Sequence, residues 1–197
     1  MKRYEAETGM GNRIREKLED CPVIAAVRDD EGLEECLKTE CGIVFILYGD
    51  IMNIASIVEQ VKERNKLAMV HMDLVAGLGS KEISVDYIRT ATRADGIIST
   101  KPALIRRAKE LKLYTVMRFF VIDSMAVENI HRQCEQARPD CIEILPGVMP
   151  KVIGRIASAV REPVIAGGLI TDKEDVMSAL DAGAISISTT NRQLWYA

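Results

Sequence analysis

Aromatic residues are scarce in this chain of 197 residues: they make up 5% of it, so its core has to be built from Ile, Val, Leu, Ala and Met. An excess of positive charge is also missing. Lys and Arg total 26 against 29 Asp and Glu, for a formal net charge of −3. Dedicated nucleic-acid modules are basic overall, so RNA could be met only by a local patch. There is no run of about 18 apolar residues and no charged-then-apolar start, which excludes a membrane span or secretory signal and points to the cytoplasm. The five cysteines (Cys21, Cys36, Cys41, Cys134, Cys141) are an odd number without tight pairing. They read as reduced thiols in a reducing compartment. His131 and Cys134 are three apart on an expected helix, but two ligands without partners do not make a zinc site, and no metal is expected. No linker or shift in composition marks a second domain. The polar opening Met1–Asn12 reads as a frayed leader, with the boundary set at residues 1–18 and a single domain over 19–197.

What is present is a repeating beat of a short β-branched run, a polar or glycine step, and an amphipathic stretch. The runs are Pro22–Val27, Ile43–Leu47, Leu67–Leu74, Gly96–Ser99, Tyr114–Val121, Cys141–Leu145, Pro163–Ala166 and Ala184–Ser188. Helices are expected near Glu31–Lys38, Ile54–Arg64, Lys81–Thr90, Pro102–Leu111, Met125–Ala137, Pro150–Val160 and Thr171–Ala182. Pro102 suits a first helical position, where its missing N–H is no loss. Thr171 followed by Glu174 has capping-box spacing, and Gly183 ends that helix as a left-handed cap would. Strands alternating with helices across short connections give a parallel sheet with right-handed crossovers. Eight units close it into a TIM-type (β/α)₈ barrel, small for its class and therefore with short or missing helices.

In such a barrel the loops that follow the strands carry function. Most of those strand ends are polar or flexible here, among them Asp50, Asp73, Lys101, Arg118, Glu143, Gly167–Gly168 and Ser188–Thr189–Thr190. The last two are the strongest signal. Glycines let backbone amides approach an anion, and small hydroxyl residues cap a short last helix, Asn191–Trp195, whose N-terminus faces the same point. A phosphate there competes with a plain tight turn and a plain cap. Lys101 and Arg118 supply cations, and Lys101 could equally be a proton-transfer lysine or a surface residue. Glu143 points into the barrel by alternation, and Asp50 and Asp73 suit sugar-alcohol hydroxyls. One segment is basic: Arg106, Arg107, Lys109 and Lys112 form either a solvated helix face or an RNA footprint. Trp195 fills the barrel floor or a helix gap, or anchors a second copy in a homo-oligomer.

Five segments carry a family resemblance: Val44–Asn53, Ala94–Lys101, Ile142–Lys151, Ala166–Ile170 and Ser188–Trp195. Through them the chain resembles the bacterial glycerol-uptake operon antiterminator regulatory proteins, from about Pro22 to Trp195. The resemblance implies a barrel without catalytic residues or cofactor. It implies a protein that senses glycerol 3-phosphate as effector and acts on the leader mRNA of glycerol-utilisation genes to suppress a terminator hairpin. The expected anion is then the effector's phosphate, with Asp50, Asp73 or Glu143 on its hydroxyls. The alternative is a phosphosugar isomerase, epimerase or aldolase using Lys101 or Glu143 for proton transfer and the Gly167–Asn191 region as phosphate grip. It is weakened by the lack of a convincing acid/base pair.

Overall fold

A computed structural model describes residues 9–196. Helix α1 (Gly9–Asp20) precedes eight strands: β1 (Val23–Val27), β2 (Ile43–Ile46), β3 (Leu67–His71), β4 (Gly96–Ser99), β5 (Tyr114–Phe120), β6 (Cys141–Leu145), β7 (Val164–Gly167) and β8 (Ser186–Thr189). Between them run α2 (Asp30–Cys36), α3 (Ile54–Glu63), α4 (Ile83–Ala91), α5 (Pro102–Glu110), α6 (Ser124–Ala137), α7 (Pro150–Ala159) and α8 (Lys173–Asp181). Every strand pairs in parallel with its neighbours in sequence, and β1 closes the barrel on β8 with Ile24 opposite Ser188. This is the (β/α)₈ barrel expected from the alternation, with helices as short as the seven residues of α2.

Strand parity sorts the apolar residues into two cores. Ile24, Ala26, Ile43, Phe45, Leu67, Met69, Ile98, Val116, Cys141 and Ile165 fill the interior, while Ala25, Val44, Val70, Ile97, Ile142 and Ala166 face the helices. Branched aliphatics on both faces are what a parallel sheet covered by helices requires. Gly96 belongs to the packing: a Cβ there would lie 2.3 Å from the Tyr114 carbonyl and 2.6 Å from the Met69 methyl.

Polar staples hold the N-terminal face. Asp95 accepts from Lys62 Nζ at 2.6 Å and from the Ala68 amide at 2.8 Å. Asp140 accepts from Lys109 Nζ at 2.6 Å and from the Thr115 amide at 2.9 Å. Lys66, buried, donates to the carbonyls of Thr39 and Cys41. Buried charges persist only when paired in this way.

Three details differ from the sequence expectations. Helix α1 crosses the boundary set at residue 18, and its Ile14 joins the inner cluster beside Ile24, Ile43 and Leu67; the first eight residues of the expected leader lie outside the described residues. The cap of α8 is Asp172, extended at φ −146°, accepting from the Asp175 amide, so the capping box expected at Thr171 and Glu174 is displaced by one residue. Asp175 in turn accepts from the Thr171 amide and hydroxyl. The last helix is a 3₁₀ turn over Arg192–Tyr196. Its Trp195 is buried outside β1 against α2 and donates through Nε1 to the Thr189 carbonyl, filling the helix gap while Ile14 takes the floor. The expected end of α8 is found: Gly183 turns at φ 105°, its amide reaches Leu180 and that of Ala184 reaches Ala179, the paired bonds of a Schellman cap.

Candidate functional site

The C-terminal mouth begins with a layer of inward-facing polar side chains above the apolar interior. On β5 and β6 the alternation that points Val116 and Cys141 inward also points Arg118 and Glu143 inward, and those two residues are opposite each other in register. Arg118 Nε donates to Glu143 Oε2 at 2.5 Å; Arg118 is 8% exposed and Glu143 wholly buried. The other carboxylate oxygen of Glu143 accepts from Ser188 Oγ at 2.5 Å. Both oxygens are therefore engaged, and the buried charge is compensated from two sides.

Gly167 and Ser188 are ladder partners, so the two segments expected to converge on an anion are neighbours along their length. Side chains leave no room at position 167: a Cβ would sit 2.5 Å from both Glu143 Oε1 and Ser188 Oγ. Nor is there room at Gly147, where a Cβ would lie 2.9 Å from the Gly167 amide nitrogen, and the Gly147 amide donates to the Gly168 carbonyl. The backbone then turns left-handed at Gly168 (φ 76°) and at Leu169 (φ 62°), and the Leu169 side chain stands exposed on the rim. A positive φ is unfavourable for leucine and marks a turn imposed by its surroundings. Thr189 donates to the Ile170 carbonyl and accepts from the Asn191 amide, tying the two loops together, while Thr190 is exposed.

On the opposite wall Asp73 gathers the ends of β3 and β4. It accepts from the Ser99 and Thr100 hydroxyls and the Thr100 amide, and Lys101 Nζ lies 3.1 Å away. Burial acts to raise the Asp73 pKa, but the Thr100 amide, Lys101 and Ser99 outweigh it and hold the carboxyl below its ordinary value. Lys101 also donates to Ser80 at 2.6 Å, so this ammonium is paired and hydrogen-bonded rather than a free amine nucleophile. Asp50 is placed differently: its Oδ1 accepts from the amides of Met52 and Asn53 in its own turn ahead of α3.

One residue of this layer was not singled out from sequence. His71 ends β3 with the same parity as Leu67 and Met69 and is 3% exposed. Burial, with the Arg118 charge adding to it, lowers its pKa to about 4. The imidazole is neutral at pH 7, and Nδ1 has no hydrogen-bond partner. The alternation that identified Glu143 also places His71.

The basic segment on α5 divides in two. Arg107 pairs with Asp86 at 2.5 Å and Glu110 at 2.7 Å, and Lys109 pairs with Asp140. Arg106 and Lys112 are exposed, Lys112 in a left-handed turn at φ 59°. Among the described residues no three His, Cys, Asp or Glu side chains gather to hold a metal, and no helix is long and apolar enough to cross a membrane.

Fold and site together define a (β/α)₈ barrel whose mouth sets two tied backbone loops beside a buried ionic floor. The chain belongs to the glycerol-3-phosphate responsive antiterminator family, whose model matches residues 23–195. It is similar to the glycerol uptake operon antiterminator regulatory protein of Listeria monocytogenes 4b F2365, with a TM-score of 0.86 and 32% identity over 89% of this chain and 95% of that one. A glycerol uptake operon antiterminator-related protein of Thermotoga maritima MSB8 gives a TM-score of 0.76 and 37% identity over 88% and 96%. An uncharacterised Escherichia coli K12 protein, YgcP, is 43% identical over 178 residues, 90% of this chain and 93% of that protein. The activity that the family names is antitermination in response to glycerol 3-phosphate, which makes the chain a regulator by family.

Proposed function

We propose that glycerol 3-phosphate binds in the mouth with its phosphate on the Gly167–Gly168 and Ser188–Thr190 backbone, and that the loaded barrel acts on leader mRNA to suppress termination. The observation that carries this is the pairing of Gly167 with Ser188, which sets the loops that follow β7 and β8 side by side at the mouth, where Thr189 ties them together. A doubly charged oxyanion needs close approach of backbone amides, and this is the place in the fold where barrels commonly provide it. Lys101 and Arg118 contribute positive potential. Thr189 acts by fixing the loop rather than by touching the ligand, and Asp50 shapes the rim. Asp73 keeps an acceptor near the ligand's hydroxyls, whereas Glu143 serves the floor.

Charge distribution supports RNA as the partner. Residues 101–161 hold eleven Lys and Arg against six Asp and Glu, while the rest of the chain holds fifteen against twenty-three. These residues run from the end of β4 through α5, α6 and α7, adjacent sectors of the barrel. An acidic protein with one basic flank attracts a polyanion on that side alone. Arg106 and Lys112 lead the contact surface, continued by Arg138 and Arg161 along a groove of about 650 Å³ that also contains Glu135 and Glu162. Arg107 and Lys109 reach a phosphate only by leaving their carboxylates.

Transcription of a template bearing the leader and its terminator, with purified protein, tests the proposal. Read-through should rise with glycerol 3-phosphate and not with inorganic phosphate; read-through unchanged by the effector refutes it. Turnover is a separate outcome, checked by NMR of triose and pentose phosphates incubated with the protein. Conversion there favours the enzyme alternative.

A further inference from the structure

We propose that His71 reads a hydroxyl of the effector, so that the site selects a hydroxylated phosphate ester over a phosphate ester lacking hydroxyls. This rests on the binding of a small phosphate ester in the mouth and adds the residue that inspects the rest of the molecule.

Within the polar layer, hydrogen-bonding capacity is unevenly engaged. Glu143 has both oxygens taken, by Arg118 and Ser188. Asp73 accepts from Ser99 and Thr100 and faces Lys101. Among the described residues two buried side-chain atoms meet no partner, Ser186 Oγ one inward position below Ser188 and, within this layer, Nδ1 of His71. An unsatisfied buried polar atom is unfavourable by about 1–3 kcal/mol, so such atoms are uncommon unless something completes them. Parity places the ring inward, where the charges of Arg118, Asp73 and Lys101 all act on it.

The chemistry narrows what completes it. A neutral imidazole carries one N–H donor and one acceptor. An alcohol can donate or accept, so it satisfies Nδ1 in either tautomer, whereas a bare alkyl chain satisfies neither. A second phosphate charge is not needed here either, because Arg118 already balances Glu143. The group that fits beside His71 is an uncharged hydroxyl, as a polyol phosphate provides. Discrimination then arises through gain: the hydroxyl supplies a partner that the free protein lacks, and the analogue without it leaves the buried nitrogen as unpaired as before.

Calorimetric titration of the full-length protein and of His71→Leu and His71→Asn with glycerol 3-phosphate, n-propyl phosphate and inorganic phosphate tests this. The native protein should prefer glycerol 3-phosphate over n-propyl phosphate by about tenfold or more. In His71→Leu that ratio should fall to near unity with n-propyl phosphate affinity unchanged, and His71→Asn should restore part of it. A native protein that binds neither ester overturns the binding reading itself. A His71→Leu variant that keeps the preference overturns only the role of His71. Should His71→Leu not fold, ¹⁵N imidazole spectra of the native protein decide, because the chain has only two histidines and exposed His131 serves as reference. The Nδ1 resonance of His71 should move on adding glycerol 3-phosphate and stay in place with n-propyl phosphate; no movement with either, under saturating ester, refutes the assignment.

Discussion

Breaking the Arg118–Glu143 pair should destabilise the barrel far more than removing it whole. The guanidinium is 8% exposed and the carboxylate not at all, so neither can recover its lost partner's charge from solvent. Glu143→Leu leaves a cation buried above Val116; Arg118→Met leaves an anion whose remaining protein donor is Ser188. Removing one member of a buried pair typically costs about 3–5 kcal/mol, whereas replacing both by apolar groups of similar volume is often close to neutral. For a domain of this size about 4 kcal/mol lowers Tm by roughly 10 °C. Urea and thermal unfolding of the two single variants and the double variant complete a double-mutant cycle. Each single variant should show the large loss, and Arg118→Met/Glu143→Leu should return most of it. Effector binding should be weakened in all three, because the floor beneath the phosphate is altered in each. Single losses under about 1 kcal/mol, or a double variant as unstable as the two losses combined, would refute the view of these groups as one buried ionic unit.

Gly167→Ala should fold, since the position needs no unusual backbone angle, but should separate Ser188 from Glu143 and narrow the cradle. The native protein gains about 2.7 kcal/mol of stability at a hundred times the ligand's Kd, and this variant should gain almost nothing from the same concentration of glycerol 3-phosphate in a thermal-shift assay. His71 makes the barrel acid-sensitive. Its folded pKa, near 4, lies below the ordinary 6.5, so the unfolded chain holds the extra proton between those values. Stability is full above about pH 6.5, falls as pH drops towards 4, and loses up to ~3 kcal/mol on this account. Urea midpoints across that range should show a shallower fall for His71→Leu than for the native protein. Cys21, half-buried, has its thiolate stabilised by the neighbouring Cys41 thiol against the effect of burial, which brings its pKa down to about 6. Burial pushes Cys36 up to about 11 and Cys134 and Cys141 up to about 12. Brief iodoacetamide treatment at neutral pH, read by mass spectrometry, should therefore label Cys21 first; preferential labelling of Cys134 would contradict this ordering.

The barrel was legible because its signals are local. Each strand is a short branched-aliphatic run, and Pro102 and Pro150 stand at first-turn positions of α5 and α7, as the sequence suggested for Pro102. Helix α1 was missed because its inward residues, Ile14 and Leu18, are too few to make a clear stripe among charges, and what they cover is the barrel's own lower end. The choice of Asp172 over Thr171 as cap depends on which residue is extended, and both side chains can accept. On α5, no short-range pattern says that Arg107 meets Asp86 or that Lys109 meets Asp140, 21 and 31 residues away. His71 was within reach of the sequence: the parity that turned Glu143 inward applies equally to Leu67–Met69–His71.

Effector and RNA, in the proposed function, meet on one helix. Thr100 and Lys101, which enclose Asp73 at the mouth, lead directly into α5, and the same helix carries Arg106 and runs to Glu110, two residues before Lys112 in the turn that follows. A hydroxyl or phosphate that draws Lys101 away from Asp73 acts on the first turn of α5, and any resulting shift reaches the basic flank through a single rigid element. Coupling of this kind is reciprocal: whatever factor glycerol 3-phosphate adds to RNA affinity, RNA must add to glycerol 3-phosphate affinity. Titrating a labelled leader hairpin with and without effector, and the effector with and without hairpin, gives both factors, and in the native protein they should agree. Lys101→Ala removes the link between the wall and α5, so both factors should fall together towards unity while the hairpin still binds. Two native factors that differ would mean a third species in the equilibrium. Coupling undiminished in Lys101→Ala would place the route elsewhere in the barrel, with β5 and Arg118 as the next element to test.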